Sequence, residues 1–320
     1  MKLVKRGLLM LAILMGVGLI GSQGAWAKNA KLQQVDPTTI APCTSATTNL
    51  AGSNIIYTLT TSFSTTFTGI CIKVTGNNNL LILDSSVTIS GPGSGIGIDI
   101  EGNNNTINGR AGTISGFATG VLDDGKGTLG DDLDLTGNVT GLKLTGHTVR
   151  WLNVAAFSNT GNGIWISGCS GQDSSQTAGC TITDFFTGNN GLDGLLINNG
   201  SDGATAALFI STGNTGNGVH VGGPLGGAGN SEVVIDDAAV ESPTIGANGL
   251  DGIFLDASEN GAADTVTGII AGNNGGIDLH DATTNCGSSG HFNLWSSLSF
   301  GTSKAGATTS PVCIPQLPNL

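Results

Sequence analysis

The chain has 320 residues, of which 53 are glycine and only 11% are charged, with a formal net charge of −12. Glycine at this density, without a three-residue period, excludes collagen and disfavours helices, since each helical glycine costs roughly 1 kcal/mol. The acidic balance excludes nucleic acid and anionic membrane held by charge, and the slightly positive mean hydropathy argues against a disordered chain.

Lys2, Lys5 and Arg6 precede an uncharged apolar run from Gly7 to Ile20, and Ala25-Trp26-Ala27 offers a small-x-small cleavage site. Residues 1–27 therefore read as a secretory signal peptide, followed by a short extension over 28–39. Later segments are broken by glycine and polar residues every few positions, so no membrane span is expected after cleavage. Cleavage removes three of the 11 basic residues, none of the 23 acidic ones and all three methionines, which shifts the balance to −15. A secreted or periplasmic location follows, and with it an oxidising environment for the six cysteines. Fifteen connectivities are open in principle. Sequence proximity suggests Cys43–Cys71, Cys169–Cys180 and Cys286–Cys313, two of which would staple the ends. Without a Cys-x-x-Cys there is no basis for a zinc ribbon or a thioredoxin-type site.

A glycine followed by an apolar–x–apolar triplet recurs through the rest of the chain. It starts at Gly69, Gly97, Gly120, Gly141, Gly163, Gly194, Gly218, Gly252 and Gly276. Most intervals are 21–24 residues, and the longer ones accommodate loops added to a coil, as between Gly163 and Gly194. Asparagine keeps step, at Asn77–Asn79, Asn103–Asn105, Asn162, Asn189–Asn190, Asn217, Asn248 and Asn273–Asn274. Asn and Gly tolerate the left-handed backbone of tight turns. Short strands and turns returning about every 23 residues predict an all-β solenoid, in which stacking supplies the core that one coil lacks. About nine rungs spaced at about 4.8 Å would make a rod roughly 40 Å long. Antiparallel hairpins, the rival, predict turns every 8–12 residues or so and no fixed return.

The segments Cys43…Tyr57-Thr-Leu59…Gly69-Ile-Cys71-Ile, Asn79-Leu-Leu-Ile-Leu-Asp84, Val87-Thr-Ile-Ser-Gly91, Asn108-Gly-Arg…Gly120 and Asn285-Cys286…Asn293-Leu-Trp295…Cys313-Ile314 resemble the right-handed parallel β-helix repeat proteins of the pectate-lyase-like superfamily. The resemblance covers most of the mature chain. It implies one right-handed parallel β-helix domain over 40–314, with disulfide-stapled caps and a tail over 315–320. The superfamily hosts many chemistries, so the fold does not choose among them. Its polygalacturonases carry Asn-Thr-Asp, Asp-Asp, Gly-His-Gly and Arg-Ile-Lys. Here Asp123-Asp124 and Asp131-Asp132 exist, but Thr148 follows His147 and no Arg-Ile-Lys occurs. Its pectate lyases use an arginine base beside Ca²⁺-binding acids, and neither Arg110 nor Arg150 sits in such a motif. Copper handling lacks ligands in a mature chain without methionine.

In each triplet the first and third residues should point inward and the middle one outward. The outward column then reads Cys71, Asp99, Leu122, Lys143, Trp165, Leu196, His220, Phe254, Asp278. Trp165, Leu196, His220 and Phe254 form an apolar and aromatic stripe, suited to a glycan platform on which rings stack against sugars. Burial under the long loops and contact with a protein surface are the other readings of the stripe. Early acids gather at Asp99, Glu101, Asp123 and Asp124, a set of hard oxygen ligands for Ca²⁺, the one cofactor the sequence invites. Lys143, Asp123 and His280 are the candidate catalytic groups. The expected function is that of an exported, non-catalytic β-helix binding a polysaccharide, a cell-envelope glycan or a partner surface. A polysaccharide lyase or glycoside hydrolase is the alternative.

Overall fold

Runs of three to five alternating residues bury their apolar side only by lying on another such run. A computed structural model shows how they do so and describes residues 38–169, 179–222, 233–236, 245–256, 264–283, 293–296, 298–301 and 303–305. The signal peptide, Cys286, Cys313 and the tail lie outside the described residues.

The chain is a parallel β-helix. Among the described residues its strands form two parallel sheets, one of 11 strands and one of 16, and successive coils add one strand to the first and one or two to the second. The strands opened by the nine triplets occupy the nine inner positions of the 11-strand sheet. Thr48–Leu50 precedes them and Ser303–Ala305 follows. In the other sheet the long strands turn a corner within themselves. Asp132, Asn153, Asp184 and Leu208 adopt φ of 60°, 54°, 55° and 53° there, and the ladder resumes one residue later on either side.

Two aliphatic columns from the 11-strand sheet fill the interior. The first runs Ile72, Ile98, Val121, Leu142, Ile164, Leu195, Val219, Ile253, Leu279 in register, and all of these are buried. Each contributes about 1.5–3 kcal/mol by leaving water. The second column runs Val74, Ile100, Asp123, Leu144, Ile166, Ile197, Val221, Leu255, Asp281. Its two aspartates are fully buried, and each is met by an indole from the facing sheet. Trp151 Nε1 donates to Asp123 Oδ2 at 2.8 Å and Trp295 Nε1 to Asp281 Oδ2 at 3.1 Å.

The glycines that open the strands stack where neighbouring coils come closest. A Cβ on Gly97 would stand 2.5 Å from the Gly120 carbonyl oxygen, and one on Gly218 2.6 Å from that of Gly252. This column corrects the register at both ends. Cys71 stands opposite Gly97, with Ile72 and Lys73 paired to Ile98 and Asp99. Leu279 pairs with Ile253 and His280 with Phe254. Cys71 therefore faces inward to its disulfide with Cys43, and Asp278 is buried where a glycine stood one coil earlier. Lys73 and His280 are the outward residues. The first and last triplets each slip because their opening glycines, Gly69 and Gly276, lie outside the column.

Much of the asparagine is interior rather than in turns. Asn138, Asn159, Asn190, Asn214, Asn248 and Asn274 form a ladder at the corner that leads into the 11-strand sheet. Each Oδ1 accepts the backbone N–H one coil earlier, at 3.0–3.2 Å. Asn79 and Asn105 do the same at the opposite corner. Such chains of amide bonds satisfy backbone that a tight corner would otherwise leave unpaired. Asn78, Asn104, Asn189 and Asn273 do adopt positive φ, as turn residues should.

Disulfides Cys43–Cys71 and Cys169–Cys180 are formed, with all four cysteines buried. By chain entropy each stabilises the fold by about 3 kcal/mol. No cysteine among the described residues is free.

Candidate functional site

Strand register decides which side chains share the outer face of the 11-strand sheet. Reading across the ladder, Lys73, Asp99, Leu122, Lys143, Trp165, Leu196, His220, Phe254 and His280 stand directly opposite one another, coil upon coil. Trp165, Leu196, His220 and Phe254 are therefore neighbours, and each is half-buried.

The stripe is held from its sides. Trp165 Nε1 donates to Asn198 Oδ1 at 2.8 Å, and Lys143 Nζ lies 3.9 Å from the indole ring centroid. Burial in this stack lowers the Lys143 pKa. Further along, Phe254 sits between two imidazoles, with centroids 5.1 Å from His220 and 4.9 Å from His280. Each imidazole is fixed by a carboxylate from the coil before it. His220 Nδ1 is 3.1 Å from Asp193 Oδ2, and His280 Nδ1 is 2.7 Å from Asp251 Oδ2. A carboxylate only accepts, so the Nδ1 proton belongs to the imidazole.

Both aspartates are locked by their second oxygen. Asp193 Oδ1 accepts from Asn217 N at 2.7 Å and Nδ2 at 2.9 Å, and Asp251 Oδ1 accepts from Ile277 N at 2.6 Å. Beside them Leu192 and Leu250 are each 55% exposed, the least common place for a large apolar residue. An open-sided depression of about 330 Å³ is lined by Leu192, Asp193, Leu196, Asn217, His220 and Leu250, among others.

The candidate catalytic groups do not converge. Lys143 is stacked on Trp165, Asp123 is sealed inside the coil beneath Trp151, and His280 stands five coils beyond Lys143 on the outer face. His280 is held by Asp251 rather than by the sequence-adjacent Asp278 and Asp281. Asp278 is buried and accepts from Asn274 Nδ2 and Gly301 N, and Asp281 is interior.

The early acids divide in the same way. Carboxylate oxygens of Asp99, Glu101 and Asp124 lie within 4.8 Å of one another, but Asp123 turns inward and does not join them. Burial, reinforced by Asp124 and Glu101, raises the Asp99 pKa to about 6 against the opposing pull of Lys73. Burial and Glu101 also raise that of Asp124. Asp99 Oδ1 is shut off from water, with no hydrogen-bond partner among the described residues. Lys73 Nζ meets Glu101 Oε1 at 2.6 Å. Three hard oxygen donors around an unsatisfied buried oxygen fit a Ca²⁺ ion in kind, and the ammonium group of Lys73 competes for the same charge.

Sequence reasoning reached the stripe but missed Asp193, Leu192 and Leu250. Their signal was present, because Asn-Gly-Leu-Asp-Gly occurs at 190–194 and again at 248–252.

No protein-family model matches the sequence, and no curated protein matches it either. Solved structures are similar at low identity. Pectate lyase Pel9A is 17% identical over 82% of this chain and 68% of its own, with a TM-score of 0.49. The A-module of the Azotobacter vinelandii mannuronan C-5 epimerase AlgE4 is 15% identical over 80% of this chain and 68% of its own, with a TM-score of 0.44. That of AlgE6 from the same organism is 14% identical, with a TM-score of 0.41. The match covers 77% of this chain and 64%, under two thirds, of that module. Likeness at this level concerns the parallel β-helix and says nothing of chemistry.

Proposed function

We propose that this chain is an extracytoplasmic parallel β-helix that binds a polysaccharide along the outer face of its 11-strand sheet. The observation that carries the reading is the continuous register of Trp165, Leu196, His220 and Phe254 on one half-buried face. A solvated sheet face would carry threonine, serine and lysine instead. Flat rings beside oriented polar groups suit the alternating C–H faces and hydroxyl edges of pyranoses. The two disulfides accord with an oxidising compartment.

The test is a glycan array with the purified protein, in Ca²⁺ and in EDTA, with reducing ends and unsaturated uronates followed in the same wells. Binding without products, lost in Trp165→Ala, is the expected result. Products would instead favour a lyase or hydrolase. The observation on the side of that second reading is the pair of carboxylate-oriented imidazoles, a usual setting for proton transfer. Neither binding nor products would leave a protein surface as the partner.

A further inference from the structure

The outer face contains the same arrangement twice. Leu192, Asp193 and Leu196 recur 58 residues later as Leu250, Asp251 and Phe254, within the same Asn-Gly-Leu-Asp-Gly setting. Each aspartate reaches forward to a histidine on the next coil, His220 for Asp193 and His280 for Asp251. The two units lie two coils apart along the axis. With a strand spacing of about 4.8 Å, their imidazoles repeat at about 10 Å, which agrees with Phe254 standing near 5 Å from each.

The repetition is not a demand of the fold. The coil before the first unit and the coil between the two carry Asn162 and Asn217 at the aspartate position, and Asn162 Oδ1 and Asn217 Oδ1 accept the N–H of Asp193 and Asp251 as a structural residue would. The aspartates serve the corner with Oδ1 as the asparagines do, and in place of an amide nitrogen they offer a second oxygen, which meets the histidine. His220 Nε2 has no hydrogen-bond partner among the described residues and is shut off from water; its nearest acid, Asp256 Oδ2, is 3.9 Å away. An unsatisfied atom of this kind calls for an explanation.

Building on the glycan reading above, we infer that the two Asp–His units are equivalent subsites for one linear, uncharged polysaccharide lying along the helix axis. The polymer repeats its hydrogen-bonding edge every second sugar. The spacing of the units sets that repeat, and the rings and exposed leucines between them receive the apolar faces. The carboxylates of Asp193, Asp251 and Asp256 around the imidazoles and the chain's net charge of −12 repel polyuronates and so favour a neutral polymer over an acidic one.

The experiment is calorimetric titration with β-1,4-linked gluco-, manno- and N-acetylgluco-oligosaccharides of two to eight residues, with oligogalacturonates as the charged control. In at least one neutral series, affinity should rise tenfold or more between two and four residues, as a chain begins to span both units. His220→Ala and His280→Ala, folded by circular dichroism, should each abolish that rise. His280→Gln, which can place a polar group near the Nε2 position, should restore part of it. Dimers and tetramers binding alike, with binding still lost in Trp165→Ala, would overturn the paired subsites and leave the platform standing. Preference for oligogalacturonates would overturn the uncharged class. No binding in any series would overturn both the platform and the inference.

Discussion

Trp151 and Asp123 meet inside the coil, the indole Nε1 of one sheet donating to Oδ2 of the other at 2.8 Å. Burial raises the Asp123 pKa to about 6, and the Trp151 bond works against that rise. Above pH 6 the carboxylate is charged and depends on its donors. Trp151→Phe keeps the ring and removes the donor. The expected loss in urea unfolding is about 3 kcal/mol at pH 8 and about 1 kcal/mol at pH 5, where Asp123 is already protonated. Equal losses at both pH values would show that the bond does not serve the ionised form.

The two kinds of asparagine should separate on substitution. Asn190 is a ladder member, bonded to Asn159, Asn214 and the Ala156 carbonyl. Asn190→Ala leaves several buried groups unpaired and should cost about 2–4 kcal/mol by thermal or urea unfolding. Asn273, at φ 61°, is a turn residue. Asn273→Gly should change stability by only a few tenths of a kcal/mol, about what exchanging two residues that both tolerate this backbone implies.

Asp264 occupies a ladder position. Its Oδ1 accepts from Val233 N and its own N–H donates to Asn293 Oδ1, the pattern of Asn79 and Asn105 at the same corner. Those asparagines use Nδ2 to donate to backbone carbonyls, whereas Asp264 Oδ2 has no hydrogen-bond partner among the described residues. Burial, with repulsion from Asp281, raises its pKa to about 7, and a protonated carboxyl restores the missing donor. Because the folded value lies above the unfolded one, the contribution is complete at low pH and is lost as pH rises through 7. Asp264→Asn should therefore be more stable than the parent at pH 8, by roughly 3 kcal/mol, and no more stable near pH 4. Unfolding midpoints across that range decide it.

At the Asp99, Glu101 and Asp124 cluster, Ca²⁺ and Lys73 compete. Millimolar Ca²⁺ should raise the melting temperature of the parent by a few degrees, and of Lys73→Gln by more, through binding to the folded state alone. Asp99→Asn should abolish the response. A calcium shift that survives Asp99→Asn would place the ion elsewhere.

What the sequence made legible was whatever repeats in one dimension. Glycines opening strands gave the coil length, and inward alternation gave the aliphatic columns, because both recur at fixed offsets. The register failed only where the glycine column ends, at Cys71 and Asp278, since a slip of two residues preserves alternation and leaves no trace in hydropathy. Asp123 and Asp281 read as surface acids because aspartate in a strand normally is one. The facing tryptophans, together with Gly125 N for Asp123 and Thr283 and Asn293 for Asp281, satisfy them inside, and the tryptophan pairing spans two sheets. Asn138, Asn159 and Asn214 went unnoticed because a ladder contact joins residues 21–34 positions apart, and a single asparagine near a glycine looks like any turn. The Asp–His pairs were hidden for the same reason, each crossing from one coil to the next.

The long asparagine corner also governs where this chain tolerates new material. From Phe157 onward the same six residues separate the strand that ends before that corner from the strand that begins after it, as between Phe157 and Ile164, Gly188 and Leu195, Thr212 and Val219, Gly246 and Ile253, and Gly272 and Leu279. The opposite corner varies freely in length, with 13 residues between Ser167 and Thr181 but only six between Asn198 and Thr205. An inserted loop at the first corner would break amide bonds on two neighbouring coils, while one at the second, away from Asn79, Asn105, Asp264 and Asn293, widens a turn. Grafted peptides, tags or whole domains belong at the second corner, and coils themselves are the natural unit for lengthening or shortening the rod.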